Sequence, residues 1–280
     1  MKAMLCTHYG PPEEMELREL PSPKPGPGQV LIAVKACGVN FPDVLMLADK
    51  YQFKPPLPFP PGGEVAGVVT ALGEGVSGIA IGDRVAVSTG NGGFAEEIVA
   101  DARRCVKVPA NVSFEVASAF IVTYGTSYHA LKDRAQLKPG ESLVVLGAAG
   151  GVGLSAVELG VAMGAKVVAG ASTQEKVDLA IKHGATSGFV YPKLPLSRDQ
   201  QKAISDKIKE LTDGKGADVL YDPVGDQYAE PALRAMNWEG RYLVIGFAAG
   251  EIPKIPLNLT LLKGCDVLGV LLGAFYVIFS

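Results

Sequence analysis

The sequence predicts an α/β protein in two parts: a barrel-like all-β unit, then a doubly wound α/β unit built on a parallel sheet. Three observations carry this. Short β-branched runs separated by Gly and Pro fill the N-terminal part. From about Ser113 strand-like and helix-like stretches alternate. Within that alternation stands "LGAAGGVGLSAVELGVAMGAKVVAGAST" (146–173), where an apolar strand enters a helix through a turn of small residues.

In order, "PSPKPGPGQ" (21–29) is a Pro/Gly loop, and "VLIAVKACGV" (30–39) has the β-branched content of a strand. Further strands are expected at 64–73, 82–88 and 92–100, with Gly and Pro between them. "KPPLPFPPGGE" (54–64) cannot be helical, because its prolines lack donors and restrict their neighbours. From Ser113, "SFEVASAFIVTYGTSYHALKD" shows helical spacing, broken at Gly125. Then come a strand (142–146), a helix (151–163), a strand (166–171), a helix (173–183) and a strand (188–191). A charged helix (198–211), the strand "ADVLYDPVG" (217–225), a helix (229–236) and the strand "GRYLVIGF" (240–247) complete the alternation. The end of the chain, "DVLGVLLGAFYVIFS", carries no charge after Asp266. It is shorter than the roughly 20 residues a membrane helix needs, so a buried strand leading into a helix is expected.

Composition narrows the function. The 280 residues carry a formal net charge of −3 and no basic run, which argues against nucleic acid or an anionic membrane as partner. The four cysteines, Cys6, Cys37, Cys105 and Cys265, form no C-x-x-C pair and suit a reducing cytosol. "MKAMLCTHYG" at the start has neither a signal core nor a transit pattern, so a cytoplasmic location is expected.

The small-residue turn is the strongest chemical signal. Ala148 occupies the first position of a G-x-G-x-x-G pattern, Gly150 lets a pyrophosphate approach, and Gly153 lets the helix pack on the strand. The helix start then offers free N–H groups and a positive dipole end at Ala149, Gly150, Gly151, Val152 and Gly153. A dinucleotide fits. An NAD-specific site has an acid about 20 residues on, whereas "AGAST" (169–173) has none. Ser172, Thr173 and Lys176 could hold a 2′-phosphate, so NADPH is expected over NADH.

With these motifs in place, the chain resembles the zinc-free quinone oxidoreductase (zeta-crystallin-like) branch of the medium-chain dehydrogenase/reductase superfamily. The matching stretches run in family order: "GVNFPDVLMLADKY", "PGGEVAGVV", "GDRV", "TYGTSYHAL", "GAAGGVG" and "YDPVG". The resemblance implies a GroES-like β domain at 1–122, a Rossmann domain at 123–260, and a return segment to the first domain beginning at 261–280, with the active site between the domains. Zinc members of the superfamily have Cys where this chain has Asn40 and His-Glu where it has Gly63-Glu64. A catalytic zinc takes about three such ligands, and only Glu64 remains, so no metal is expected. His129 is expected to pack rather than ligate.

The resemblance places Asn40 and Thr123 near the nicotinamide and Tyr51 in the substrate pocket. A quinone could stack on Tyr51, although a merely buried aromatic is an even alternative. The resemblance also puts Tyr191 on the adenine and adds Gly246 and Phe247 to the cofactor contacts. The family commonly reads D-P-V-G-G, whereas here Asp226 follows Gly225. Asp43 and Glu64 border turns and are expected to be structural. The implied activity is NADPH-dependent hydride transfer to a quinone. Reduction of activated C=C bonds in enals, enones or enoyl thioesters is the alternative, and an impaired NADPH-binding paralogue is a third. The family also implies a homodimer paired along the strand around Asp266 and Val270, and a C-terminal helix some tens of residues beyond Ser280. The chain is therefore expected to be truncated, with a poorly covered patch and reduced stability and activity.

Overall fold

The computed structural model describes residues 1–273. The chain divides into two compact units, Met1–Val122 and Thr123–Ser280.

The first unit is antiparallel. Strands β1 (Lys2–Leu5) and β2 (Glu16–Glu19) form a two-stranded pair. Five further strands are β3 (Gln29–Gly38), β4 (Glu64–Leu72), β5 (Arg84–Ser88), β6 (Glu97–Asp101) and β7 (Val106–Lys107). They pair in the order β6-β3-β4-β5-β7. Val30, Ile32, Val65, Val85 and Val87 are almost fully buried in one core. Each such side chain contributes about 1.5–3 kcal/mol through removal from water. Two register shifts interrupt the β3–β4 ladder, and such bulges bend a strand and increase its twist.

One expectation fails here and one element was not foreseen. The last strand begins at Glu97 rather than Gly92, because Gly92 and Gly93 donate to Pro60 O and Gly62 O instead. Between β3 and β4 lies a helix that the periodicity did not disclose, α1 (Phe41–Leu47). It is too short for a clear period, and its termini define it. Asn40 is the N-cap, a proline opens the first turn, and Asp43 accepts from the Asn40 N–H. Met46 and Leu47 then bury against Cys6 and Phe59.

Short helices α2 (Phe114–Ala117) and α3 (Ile121–Tyr128) follow. Gly125 lies inside α3 and does not break it; the interruption falls at residues 118–120. A glycine costs a helix only about 1 kcal/mol, less than tertiary packing supplies.

The second unit has a six-stranded, wholly parallel sheet in the order β10-β9-β8-β11-β12-β13. Its elements are β8 (Ser142–Val145), α4 (Gly151–Ala162), β9 (Lys166–Ala171), α5 (Gln174–Lys182), β10 (Ser187–Val190) and α6 (Arg198–Leu211). After them come β11 (Ala217–Asp222), α7 (Ala229–Arg234), β12 (Met236–Val244), α8 (Asn258–Lys263) and β13 (Asp266–Gly269). Val144 and Leu220 face one core, Leu143, Val145 and Val219 the other. Both faces are covered, which is why these strands read as continuous apolar runs.

Helix α7 ends earlier than expected and β12 starts at Met236, a buried residue that belongs to the sheet. The "DVLG" segment is the sixth strand, paired with β12. It is also not buried: Asp266, Val267 and Gly269 are exposed, because the strand lies at the edge of the sheet. Leu272 and Gly273 are helical, and the remainder of the stretch expected as a terminal helix, with the "YVIFS" end, falls on residues 274–280, outside the described residues. Among the described residues no helix is long and apolar enough to cross a membrane.

Candidate cofactor site and a carboxylate cluster

In the second unit, every residue expected at the cofactor except Thr123, which lies in α3, follows the carboxyl end of a parallel strand. In open α/β sheets that edge is where ligands bind, beside the strand at which the winding reverses. Here that strand is β8, flanked by β9 and β11.

The turn after β8 is shaped by two different demands. Gly153 is required by the protein itself: a Cβ there would lie 2.1 Å from Gly147 O. Gly160, two turns along the same face of α4, would meet Leu143 Cδ2 at 2.5 Å, so α4 lies directly on β8. Gly150 is different. Its φ is −78°, and a Cβ would meet only Gly147 O at an ordinary 3.4 Å. No contact within the protein calls for glycine at this position, and the space is open to a group from outside.

Gly150 is the N-cap of α4, and no side chain caps that helix, whereas Thr173 caps α5 and Ser197 caps α6. The first-turn N–H groups of Gly151, Val152 and Gly153 have no acceptors within the helix. The residues present therefore fit a dinucleotide diphosphate. Ala149 is half-buried beside the exposed Gly150 and Gly151. Thr123 adjoins this turn: a Cβ on Gly151 would stand 3.2 Å from its methyl group, and its carbonyl accepts from Ser155 Oγ at 3.1 Å. Ser155 Oγ also meets Ser127 Oγ at 2.8 Å, and Ser127 meets the buried Tyr221 hydroxyl at 2.8 Å. This network fixes α3 against α4, and the sequence reading missed it because its members stand far apart in the chain.

After β9, Lys176 Nζ lies 3.1 Å from Ser172 Oγ, and Thr173 Oγ1 accepts from the Lys176 N–H at 3.3 Å. The three residues named for a 2′-phosphate are thus one exposed cluster. Glu175 stands in the first turn of α5.

Tyr191 is 7% exposed, with its ring centroid 4.7 Å from that of Tyr228. Burial pushes its phenol up to about 12, while the Gly147 backbone N–H stabilises the oxygen. It props the glycine turn from within the core. After β11, Asp222 Oδ1 accepts from the Val224 and Gly225 N–H groups at 2.8 and 2.9 Å, and Oδ2 from the Tyr242 hydroxyl. Gly225 has φ +69°, and a Cβ there would meet Phe247 at 3.0 Å. Gly246, like Gly150, has only ordinary contacts for a Cβ, 3.5 Å to Pro223 O.

In the first unit, Asn40 heads α1 and Tyr51 follows it. Tyr51 is half-buried, packs against the Met46 and Phe59 cluster, and has its ring centroid 5.9 Å from that of Phe53. Burial and then the Asp43 charge push its phenol up. Asp43 is buried and takes the Asn40 and Gly62 N–H groups at 2.8 and 3.1 Å; burial raises its carboxyl above the usual range. Glu64 is fully buried and similarly raised, with Oε2 3.2 Å from Asn40 Nδ2 and Oε1 3.0 Å from Val122 N. His129 is buried, with Nδ1 2.8 Å from Asp133 Oδ2. Among the described residues no three His, Cys, Asp or Glu side chains are grouped to hold a metal ion.

Comparison with known proteins agrees with this architecture. Residues 26–110 match the family described as alcohol dehydrogenase GroES-like domain, and residues 151–279 match that described as zinc-binding dehydrogenase. Over 275 residues the chain is 41% identical to the quinone oxidoreductase-like protein 2 homolog of Nematostella vectensis, covering 98% of this chain and 73% of that protein. It is 35% identical to human quinone oxidoreductase, over 97% of this chain and 80% of the relative. The Escherichia coli quinone oxidoreductase solved in complex with NADPH aligns with a TM-score of 0.88 at 29% identity, covering 98% of this chain and 82% of that one. The Thermus thermophilus quinone oxidoreductase, also described in complex with NADPH, aligns at 0.82 and 32% identity, covering 99% and 82%.

A GroES-like unit followed by a Rossmann-type unit defines the medium-chain dehydrogenase/reductase architecture. Within it, the chain belongs to the zinc-independent quinone oxidoreductase family.

Proposed function

We propose that the protein is an NADPH-dependent oxidoreductase that passes hydride to a small quinone without a metal. The observation that carries this reading is the pairing of an uncapped glycine turn at Gly150 with the acid-free cluster of Ser172, Thr173 and Lys176. The nicotinamide supplies the hydride when bound. The N–H groups of Gly151, Val152 and Gly153 hold the diphosphate, with Ala149 and Gly150 kept small beside it. Ser172, Thr173 and Lys176 take the 2′-phosphate. Tyr191 supports the turn, Gly246 and Phe247 border the cofactor after β12, Asn40 and Thr123 stand at the reacting end, and Tyr51 contacts the acceptor.

C=C reduction is the weaker reading, because it needs an acid beside the carbon that takes the proton. Asp43 and Glu64 are buried and already accept N–H donors. A reduced quinone takes its proton from water. The active form is a homodimer paired along β13, whose exposed edge would otherwise stay open, in a reducing cytosol.

Lys176→Ala should weaken NADPH binding about tenfold, the loss of one charge-assisted hydrogen bond, and leave NADH binding unchanged, as read by calorimetry. Equal affinity of the parent protein for both cofactors would end the 2′-phosphate assignment. Turnover of 1,2-naphthoquinone but not crotonyl-CoA distinguishes the two reactions, and light scattering reads the dimer.

A further inference from the structure

Glu64 is the least explained charge in the molecule. It is 0% exposed, at the first residue of β4 opposite Gly38. A buried carboxylate is costly unless donors fill it. Glu64 is filled by N–H groups from two directions: Oε1 by the backbone of Val122, at the start of α3, and Oε2 by the Asn40 amide. The backbone N–H of Ile121 adds to the same carboxylate. Gly38 makes the approach possible, since a Cβ there would lie 2.3 Å from Ser118 O and 3.3 Å from Glu64 Oε2. The segment leading into α3 therefore rests on β3, within reach of the carboxylate. Asp43 and the Cys37 thiol are the titratable groups that also face it.

From this geometry we infer that Glu64 is a positioning residue of the hydride-transfer site: its carboxylate sets which way the Asn40 amide faces and where the helix carrying Thr123 begins. The inference rests on the reading that puts Asn40 and Thr123 at the reacting end. The physical reason is chemical rather than steric. The two ends of an Asn amide have nearly the same shape, so packing alone does not choose between them. An ionised carboxylate only accepts, so it admits the amide nitrogen and rejects the amide oxygen. A glutamine at position 64 fills the same volume without making that choice. If its oxygen stays with Val122, its own NH2 faces Asn40 and turns that amide over.

The test is a charge swap with NADPH and 1,2-naphthoquinone. E64Q should lower kcat about 100-fold, the scale of a small misplacement at a reacting centre, with NADPH affinity by fluorescence changed less than about threefold. N40D should be at least as impaired, because two carboxylates then oppose each other. E64Q/N40D moves the single charge to the other partner and should recover about tenfold or more over either single variant. A structural role alone predicts that the variants differ in Tm while kcat per folded molecule stays at the parent's value. E64Q within about threefold of the parent, or a double variant no better than its worse parent, would overturn the inference.

N40A separates the two readings. If it is harmless, the placement of Asn40 fails and the inference falls with it. If it is damaging while E64Q is harmless, only the inference fails. Should E64Q not fold, N40D carries the test. Its two carboxylates share a proton, so its turnover should rise, relative to the parent, as pH falls. A profile parallel to the parent's would overturn the proposal.

Discussion

The glycine turn after β8 and the carboxylate cluster around Asn40 each hold a local geometry, by opposite means. The turn works by subtraction: Gly150 and Gly151 leave backbone N–H groups and space. The cluster works by saturation: Asp43 and Glu64 each receive donors on both oxygens. Subtraction is written locally in the chain. Saturation brings together residues 24 apart in one bond and 58 apart in another. The turn can therefore be read from one stretch of sequence and the cluster cannot.

The sharpest way to break the comparison is within the turn. Gly153→Ala places a Cβ against Gly147 O, and such overpacking costs about 1–3 kcal/mol or more. That is a fall of several degrees in Tm for a unit of this size, with cofactor binding lost. Gly150→Ala meets no such contact. Its Tm should stay unchanged while NADPH affinity falls about tenfold or more, one kcal-scale loss at a closely approached phosphate. Equal effects of the two variants on stability would mean that Gly150 is also a packing glycine and that subtraction has a single purpose.

The pattern of what could be read follows the same division. Helix α6 was legible to its ends, because Ser197 and Gln200 form a capping box and Ile204 and Ile208 mark one face. Strand β9 was equally clear between its charged start and small-residue end. Helix α1 was not legible, since seven residues give no usable period. The turn signal was strong because strand, glycines and helix are contiguous. Asp222 was quoted within "YDPVG" without a role, and its partner Tyr242 lies in another strand. The family resemblance put Tyr191 on the adenine, and the structure buries its ring against Tyr228 in the core. Local chemistry was legible and long-range donor–acceptor matching was not.

Asp222 carries saturation into the second unit and allows a comparison between units. Asp222→Asn replaces one accepting oxygen by a donor, beside either the Tyr242 hydroxyl or the Val224 and Gly225 N–H groups. A buried group left without its partner costs about 1–3 kcal/mol. Urea denaturation should report a loss in that range, and a neutral substitution would show that the loop after β11 is held by packing alone.

A smaller effect tests the charge state of the first cluster. Burial raises the carboxyls of Glu64 and Asp43 above their ordinary values. Over the interval between the ordinary and raised values, the folded chain keeps protons that the unfolded chain has released. Stability contributed by these groups therefore falls as pH rises through that interval. E64Q removes one titration, so its Tm relative to the parent should improve as pH rises from the ordinary carboxylate range. A constant difference would mean that Glu64 titrates as an exposed carboxylate does.

The smallest effect lies where the chain departs from the family's second glycine after "DPV". Asp226 has φ +53°, a left-handed conformation that costs a non-glycine residue about 1 kcal/mol or somewhat more. Asp is among the residues that bear it best, because its short side chain can bond locally, and here Oδ1 accepts from the Gln227 N–H at 2.6 Å. Asp226→Gly relieves the backbone but deletes that bond. The site is partly exposed, so water replaces the lost acceptor and the bond is worth about 0.5–1 kcal/mol. The backbone bond from Asp226 N to Glu251 O survives the substitution. Relief and loss thus nearly cancel, and stability should rise by no more than about 0.5 kcal/mol. Asp226→Ala loses the bond without gaining the freedom and should fall by about 1 kcal/mol. If glycine instead costs as much as alanine, the local bond outweighs the backbone strain, and the aspartate is a second instance of saturation beside a turn otherwise shaped by subtraction.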